Sequence, residues 1–270
     1  MATILENLGR NNKMAKIFLS IPVLGKPELR HIYSMYQAIL SCSQHQVRIY
    51  FNENDSLISR VRNAHISVFF NDFKECDYFM SLDSDIEIVN AYPNNNLFTK
   101  LISHDKDFVG GLYAIKKPGV RRCSSITWDG TTPDFDTGLV KMRWLSSGCW
   151  CIKRSAVAKM IDAYPELMYD GDDNMTGKKV YGLYIPMLYD LKEGDFPNIK
   201  LPFRKYLSED WSLAERWKAI GGEILADTSI VLKHIGKSDY TLWDVEVVKS
   251  QKTSLPPPGF DLKSLDLKKI

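Results

Sequence analysis

Five ionisable side chains in three short motifs have the types and spacing to do chemistry. In FMSLDSDIEI, Asp83 and Asp85 stand one residue apart, directly after an apolar run. Two carboxylates at the end of a buried strand reach solvent from a rigid base. There they can share one hard divalent cation, directly or through water. With Mg2+ or Mn2+ held there, the pair would bind a diphosphate and neutralise charge on a leaving group. A D-x-D also occurs by chance as a turn or surface pair, and its place after a buried strand is what favours chemistry. Glu209-Asp210 opens the stretch SEDWSLAERWKAIGGEI. Ser208 is positioned to cap a helix there, and acids in the first turn suit its dipole. The functional alternative is that one of the two carboxylates faces a cleft as general base. His234 lies in IVLKHIG, after an apolar run and before a glycine. It is either a satisfied structural residue or a third metal ligand.

These groups need a scaffold, and the first half of the chain supplies an alternating one. Lys16–Val23 reads as a buried strand, and Pro27–Cys42 carries apolar residues at helical spacing. Gln46–Phe51 is a second strand. Asp55 is placed to cap a helix whose face is Leu57, Val61, His65, Val68 and Phe69. Asp77–Leu82 is a third strand ending at the acidic cluster. This order predicts an α/β fold with a mixed, mostly parallel sheet and crossover helices. Such sheets bind ligands beyond the carboxyl ends of their strands, where the acidic cluster falls.

The second half is less regular. Phe108–Tyr113, Gly138–Arg143, Cys149–Lys153, Glu223–Ala226 and Ile230–Lys233 read as strands, and Ser155–Ala163 and Glu209–Ile220 as helices. Tyr164–Tyr206 shows weak periodicity and reads as one long functional or mobile segment. The expected organisation is an N-terminal arm over residues 1–13, one domain over 14–245 and a C-terminal tail over 246–270 containing Pro256, Pro257 and Pro258. The domain divides into halves at residues 14–115 and 116–245.

Composition sets the outer limits. Of 270 residues 44% are hydrophobic and 25% charged, which suits a globular chain and excludes collagen-like and disordered classes. Thirty-five Lys and Arg against 33 Asp and Glu give a net charge of +2, without the dominant basic field of a dedicated nucleic-acid binder. A local basic groove remains compatible. The five cysteines are odd in number, and Cys149-x-Cys151 has no second pair to complete a zinc site. Buried free thiols in a reducing compartment are expected. No apolar run approaches the roughly 18 residues of a membrane helix. Ile17–Leu24 contains a proline and no small-residue cleavage site, so it reads as a strand, not a signal peptide. The expectation is a soluble, cytoplasmic protein.

Four segments together resemble a known family. CDYFMSLDSDIEI, the upstream SLISRVRNAHI, and the downstream SEDWSLAERWKAIGGEI and LKHIG are similar to nucleotide-sugar glycosyltransferases of the GT-A fold. The likeness is to family 2-type enzymes, including bacterial and phage or viral members. It runs from about Lys16 to Gly236 and leaves Tyr164–Tyr206 unmatched.

The resemblance implies roles residue by residue. Ile21 and Pro22 would contact the nucleotide base, and Arg60, Arg62 and Asn63 the nucleotide or its phosphates. Asp83, Ser84 and Asp85 form the D-x-D, with Asp83, Asp85 and His234 as ligands of Mn2+ or Mg2+. His234 has the alternative of hydrogen-bonding the diphosphate directly. Gly110 and Gly111, followed by Tyr113, would let backbone approach the sugar, and Ser147 and Gly148 would border donor sugar and acceptor. Asp210 is the general base of inverting members, with Glu209 beside it to orient the acceptor.

The implied activity moves one sugar from a nucleotide-diphosphate sugar, UDP favoured, to an acceptor hydroxyl with inversion. A retaining outcome stays open. The chain lacks the Q-x-x-R-W motif of processive synthases, so transfer of a single sugar is expected. The same fold also serves nucleotidyltransferases, but SIPVLGKPELR has one glycine where they carry a glycine-rich signature. A metal-dependent phosphodiesterase would need more clustered histidine than five scattered residues provide. A non-catalytic carbohydrate-binding role leaves the paired acids unexplained. The acceptor is a glycan or another hydroxyl compound, with modified nucleic acid as an option. Tyr169, Tyr181, Tyr184, Tyr189 and Phe196 are the aromatic candidates to recognise it. Lys116-Lys117, Arg121-Arg122 and Lys178-Lys179 would be the phosphate contacts of a nucleic-acid acceptor.

Overall fold

The apolar run KIFLSI becomes β1 (Lys16–Ile21), whose side chains alternate between two hydrophobic cores. Phe18 enters one core, and Ile17, Leu19 and Ile21 the other, as expected of a strand covered on both faces. The computed structural model describes residues 14–52, 55–89, 96–127, 131–193, 195–196 and 199–242. The expected arm and tail, including the three consecutive prolines, lie outside the described residues.

After β1 come α1 (Leu29–Leu40), β2 (Gln46–Phe51), α2 (Ile58–Asn71), β3 (Tyr78–Leu82) and β4 (Ile86–Ile88). The middle of the chain forms α3 (Leu97–Ser103), β5 (Phe108–Gly111), β6 (Ile126–Thr127), β7 (Leu139–Trp144), β8 (Cys149–Lys153) and α4 (Arg154–Ala163). The expected irregular segment contains two antiparallel ribbons, β9 (Met168–Asp170) with β10 (Lys179–Tyr181), and β11 (Met187–Asp190) with β12 (Arg204–Leu207). Then follow α5 (Glu209–Ala219), β13 (Leu225–Asp227), β14 (Leu232–Ile235) and β15 (Asp239–Thr241).

Eight strands form the main sheet in the order β2-β1-β3-β8-β5-β13-β7-β6. β1 runs parallel to β2 and β3, and β5 to β13. The pairs β3–β8, β5–β8, β13–β7 and β6–β7 are antiparallel. The α/β class and the mixed sheet hold, but antiparallel pairings outnumber parallel ones among the described strands, so the sheet is not mostly parallel. The regular strand–helix alternation ends at β3, and β8 then inserts between β3 and β5 in the opposite direction. α2, α4 and α5 cover one face through Phe69, Met160 and Leu213, and α1 and α3 the other through Met35 and Phe98.

α1 is turned in an unexpected sense. Its inner face is His31, Ser34, Met35 and Ala38, while Leu29, Tyr33, Tyr36 and Leu40 are exposed. The polar inner face pairs with β4: His31 Nδ1–H donates to Ile86 O at 2.8 Å, and Ser34 Oγ accepts from Ile88 N at 3.0 Å. Two helix caps read from the sequence form differently. α2 starts after Leu57, and Asp55 accepts from Leu57 N and from Arg60 ahead of the helix. Ser208 precedes α5, but its hydroxyl donates to Asp210 Oδ1 and accepts from no helix amide.

Candidate active site

The Asp83–Asp85 turn is pinned by backbone on three sides. Asp83 N donates to Gly148 O (3.1 Å), Glu28 N to Ser84 O (3.1 Å) and Ile235 N to Asp85 O (2.7 Å). The loop between β7 and β8, the start of α1 and the end of β14 therefore all converge on these three residues. β14 pairs antiparallel with β4 so that His234 stands opposite Ile86, next to Asp85 in the chain. That register brings His234 Nε2 to 3.4 Å from Asp85 Oδ2. His234 Nδ1 lies 2.9 Å from Ala114 O, which can only accept, so Nδ1 carries a proton. Nε2 is thereby the ring nitrogen turned to Asp85, with Nδ1 held by a backbone carbonyl as it is in metal-binding histidines.

Lys116 Nζ also bonds Asp85 Oδ2, at 2.5 Å. Burial opposes ionisation of Asp85, yet His234 and Lys116 outweigh it and hold the carboxyl at about 2. A carboxylate and a fixed imidazole suit a hard or borderline divalent cation. Among the described residues no cluster of three or more His, Cys, Asp or Glu is arranged to hold a metal. Asp83 is turned instead to Arg62, and of the three expected ligands Asp85 and His234 are the two that face each other.

Arg62 is the buried hub of the site. From α2 its Nη2 donates to Asp83 Oδ1 (2.8 Å) and its Nη1 to Ser81 Oγ (3.2 Å), while Nε lies 3.4 Å from Glu209 Oε1. Burial works against the charged guanidinium, but Asp83, Glu209 and Asp210 raise its pKa above the ordinary value. One cation thus joins the two acidic motifs, which lie more than 120 residues apart in sequence. Glu209 has its pKa raised by burial and by neighbouring Asp210, against the pull of Arg62. Asp210 Oδ1 accepts from Ser208 Oγ and Trp211 N. Both of these hydrogen bonds fall on Oδ1.

One recess adjoins the turn, and a second shares Val23 with it. A polar cleft of about 390 Å³ is lined by Pro22, Glu28, Arg62, Asp83, Asp85 and Lys116, among others. Beyond Val23, an apolar slot of about 340 Å³ is lined by Ile21, Met35, Ile49, Phe51 and Asn52. Among the described residues the buried Asn52 Oδ1 has no hydrogen-bond partner. Glu209 meets Arg62 from α5, and neither it nor Asp210 is among the residues that line the polar cleft.

Other residues singled out from sequence lie apart from the cleft. Asn63 is buried and accepts from Tyr184 N at 2.7 Å, tying α2 to the segment before β11. Arg60 forms a two-point ion pair with Asp55. Gly110 and Gly111 are interior residues of β5: a Cβ on Gly110 would stand 2.4 Å from Cys149 O, and one on Gly111 3.0 Å from side chains of Ile230 and Leu232. These glycines admit neighbouring protein, not a sugar. Gly148 does reach the site, but it admits the ring of buried Tyr113, whose Oη accepts from Gly148 N at 3.0 Å. Tyr184 is fully buried, and Tyr169, Tyr181, Tyr189 and Phe196 pack against the core, so local packing accounts for these aromatics. Lys116 was singled out only as a contact for a nucleic-acid acceptor and Asn52 not at all, because only tertiary structure brings Lys116 to Asp85 and Asn52 to the apolar slot.

No protein-family model matches the chain, and no curated protein matches it. Solved structures similar to it include the following two. The crystal structure of A197 from STIV has 17% identity and a TM-score of 0.48, covering 86% of this chain and 95% of the other. A glycosyltransferase involved in the glycosylation of the major capsid of PBCV-1 has 16% identity and a TM-score of 0.32, covering 55% and 66%. Likenesses of that extent leave the site to be read from its own residues. No helix among the described residues is long and apolar enough to cross a membrane.

Proposed function

We propose that this chain is a metal-dependent glycosyltransferase that moves one sugar from a nucleotide-diphosphate sugar, UDP favoured, to an acceptor hydroxyl. The observation that carries the reading is Arg62, which joins Asp83 to Glu209 while His234 meets Asp85. Two motifs with no reason to meet in a purely structural role share one buried cation. The apolar slot beside Ile21 offers an aromatic base a surface, and Asn52 Oδ1 offers it one acceptor.

Asp85 and His234 would hold the Mn2+ or Mg2+, which when bound spreads the charge of the leaving diphosphate. Lys116, at the same carboxylate, adds a second positive charge for phosphate oxygens. Asp210 Oδ2 accepts the proton of the acceptor hydroxyl as that oxygen attacks the anomeric carbon from the face opposite the diphosphate. A single displacement inverts the configuration. Arg62 is a positioning residue that keeps the acids of α5 in register with the Asp83 turn.

The test is a screen of nucleotide sugars for hydrolysis with and without Mn2+, comparing wild type with Asp85→Ala and Asp210→Asn. Metal-dependent release of nucleotide diphosphate that both substitutions reduce by about 100-fold or more is expected. Hydrolysis of no donor, or hydrolysis indifferent to metal and to both substitutions, would overturn the reading.

A further inference from the structure

α1 packs within the chain on one side only. Its inner side, with His31, Ser34, Met35 and Ala38, closes on β4 and the core. Its outer side presents Leu29, Tyr33, Tyr36 and Leu40, each between 55% and 81% exposed. A helix with apolar side chains all round is normally covered on every side. Among the described residues nothing covers the outer one.

The stripe has two properties that select what can cover it. Its spacing of four, three and four residues is that of a helix–helix seam, which keeps the side chains in line along the axis. Its order, Leu-Tyr-Tyr-Leu, reads the same from either end. Turned about a two-fold axis between Tyr33 and Tyr36, the stripe meets itself antiparallel. Leu29 then opposes Leu40 of the other copy, and Tyr33 opposes Tyr36. This is the self-complementarity that a two-fold contact requires. Tyrosine suits such a seam, because its ring can be buried while its hydroxyl stays at the wet edge.

Charge selects no other class of partner. Arg30 is the one Lys, Arg, Asp or Glu in α1, and Asp239 holds it by two hydrogen bonds on the helix flank. At about 200 Å² for a large side chain, the stripe and half-buried Ile32 at its edge leave roughly 600 Å² uncovered. That is at the upper end of apolar patches on single chains, and most of one partner's share of a standard interface.

We propose that the outer side of α1 is a homodimer interface, in which α1 packs antiparallel on α1 of a second copy of this chain. The proposal rests on this helix alone and is independent of the transferase reading. Sedimentation of the full chain tests it. Wild type is expected to be a dimer at about 50 µM, within the affinity range of interfaces of this size. Tyr33→Glu with Tyr36→Glu should weaken association by about 100-fold or more, with an unchanged circular dichroism spectrum. Phe135→Glu, which alters an exposed aromatic in the loop before β7, should leave the dimer intact.

Disulfide trapping reads the direction of pairing, since all five native thiols are buried. Positions 29 and 40 lie about 16 Å apart along one helix. Leu29→Cys chains mixed with Leu40→Cys chains should therefore cross-link to each other, and Leu29→Cys chains alone should not. A monomeric wild type overturns the proposal and leaves the stripe to another protein or to residues outside those described. A dimer that survives the double tyrosine substitution lies on another face and overturns it too. Leu29→Cys chains cross-linked to themselves overturn the antiparallel arrangement. A dimer that hydrolyses no donor keeps the interface and sinks the transferase reading; a monomer that hydrolyses one does the reverse.

Discussion

Arg62 Nη2 lies 2.8 Å from Asp83 Oδ1, a buried guanidinium on a carboxylate that opens onto the cleft. The same guanidinium faces Glu209. Removing it leaves two partly buried acids without a counter-ion, and losing one partner of a buried pair typically costs about 3–5 kcal/mol. Arg62→Ala should therefore lower unfolding free energy by an amount in that range. Arg62→Lys should recover part of it, because an ammonium keeps the charge but not the fork of donors. Urea denaturation of the three proteins measures this. A loss below about 1 kcal/mol for the alanine variant would show that Arg62 is not the hub described.

Mn2+ binding to the chain alone should depend on His234 and respond oppositely to Lys116. Asp85→Ala is expected to abolish binding, and His234→Ala to weaken it by about 10- to 100-fold. Lys116→Met removes an ammonium bonded to the same carboxylate oxygen, so it should strengthen binding. Proton relaxation enhancement on titration with Mn2+ reads all three. Binding unaffected by His234→Ala would assign that imidazole to the diphosphate instead.

The parts legible in sequence share one property: they depend on neighbours close in the chain. The apolar runs of β1, β3 and β8 and the period of α2 are local, and so is the position of Asp83 after a strand. What was not legible depends on long-range register. Pairing of β4 with β14 puts His234 beside Asp85, and IEI alone is too short to announce a strand. Gly110 and Gly111 are small because β8 and residues 230–232 press on them, pressure that no local pattern records. α1 was readable as a helix but not in its orientation, since an outward apolar stripe of Leu29, Tyr33, Tyr36 and Leu40 has the same period as an inward one.

Gly148 is the point where a single methyl group should disturb the acidic turn. A Cβ there would stand 2.5 Å from Tyr113 Oη and 2.6 Å from its Cζ. Tyr113 is only 5% exposed, so its ring has little room to yield, and Gly148 O holds Asp83 N. Gly148→Ala is expected to cost about 1–3 kcal/mol of stability as an overpacked site and to weaken Mn2+ binding as well. Tyr113→Phe loses one hydrogen bond, about 1 kcal/mol, and should leave Mn2+ binding intact. If Gly148→Ala matches wild type in both measurements, the close packing is not what holds the turn.

All five cysteines are buried, and among the described residues they form no disulfide. Burial pushes the Cys123 thiol up to about 11 and the Cys149 thiol up to about 12. Neither is a thiolate near neutral pH. A thiol reagent at pH 8 should therefore label no cysteine in the native protein and all five in guanidinium. Rapid native labelling of even one would contradict this packing.

His65 should make the protein sensitive to mild acid. It is 1% exposed, with Nδ1 2.8 Å from Ser20 Oγ and its ring edge-on to Tyr50 at 4.9 Å. Burial, then the nearby Arg62 charge, lower its pKa to about 3. The folded state refuses a proton that the unfolded chain accepts below an ordinary histidine value of about 6.5. A base depressed in this way contributes full stability above 6.5, and the contribution is lost as pH falls from there toward 3. The slope reaches about 1.4 kcal/mol per pH unit within that window. His31, also depressed by burial, acts with the same sign. Urea denaturation of wild type and His65→Gln at pH 7, 6, 5 and 4.5 isolates the His65 share: the variant should start less stable at pH 7 and lose stability more slowly on acidification. Parallel pH profiles for the two proteins would mean that His65 takes up its proton in the folded state, and with it that the wall of α2 beside Arg62 admits water.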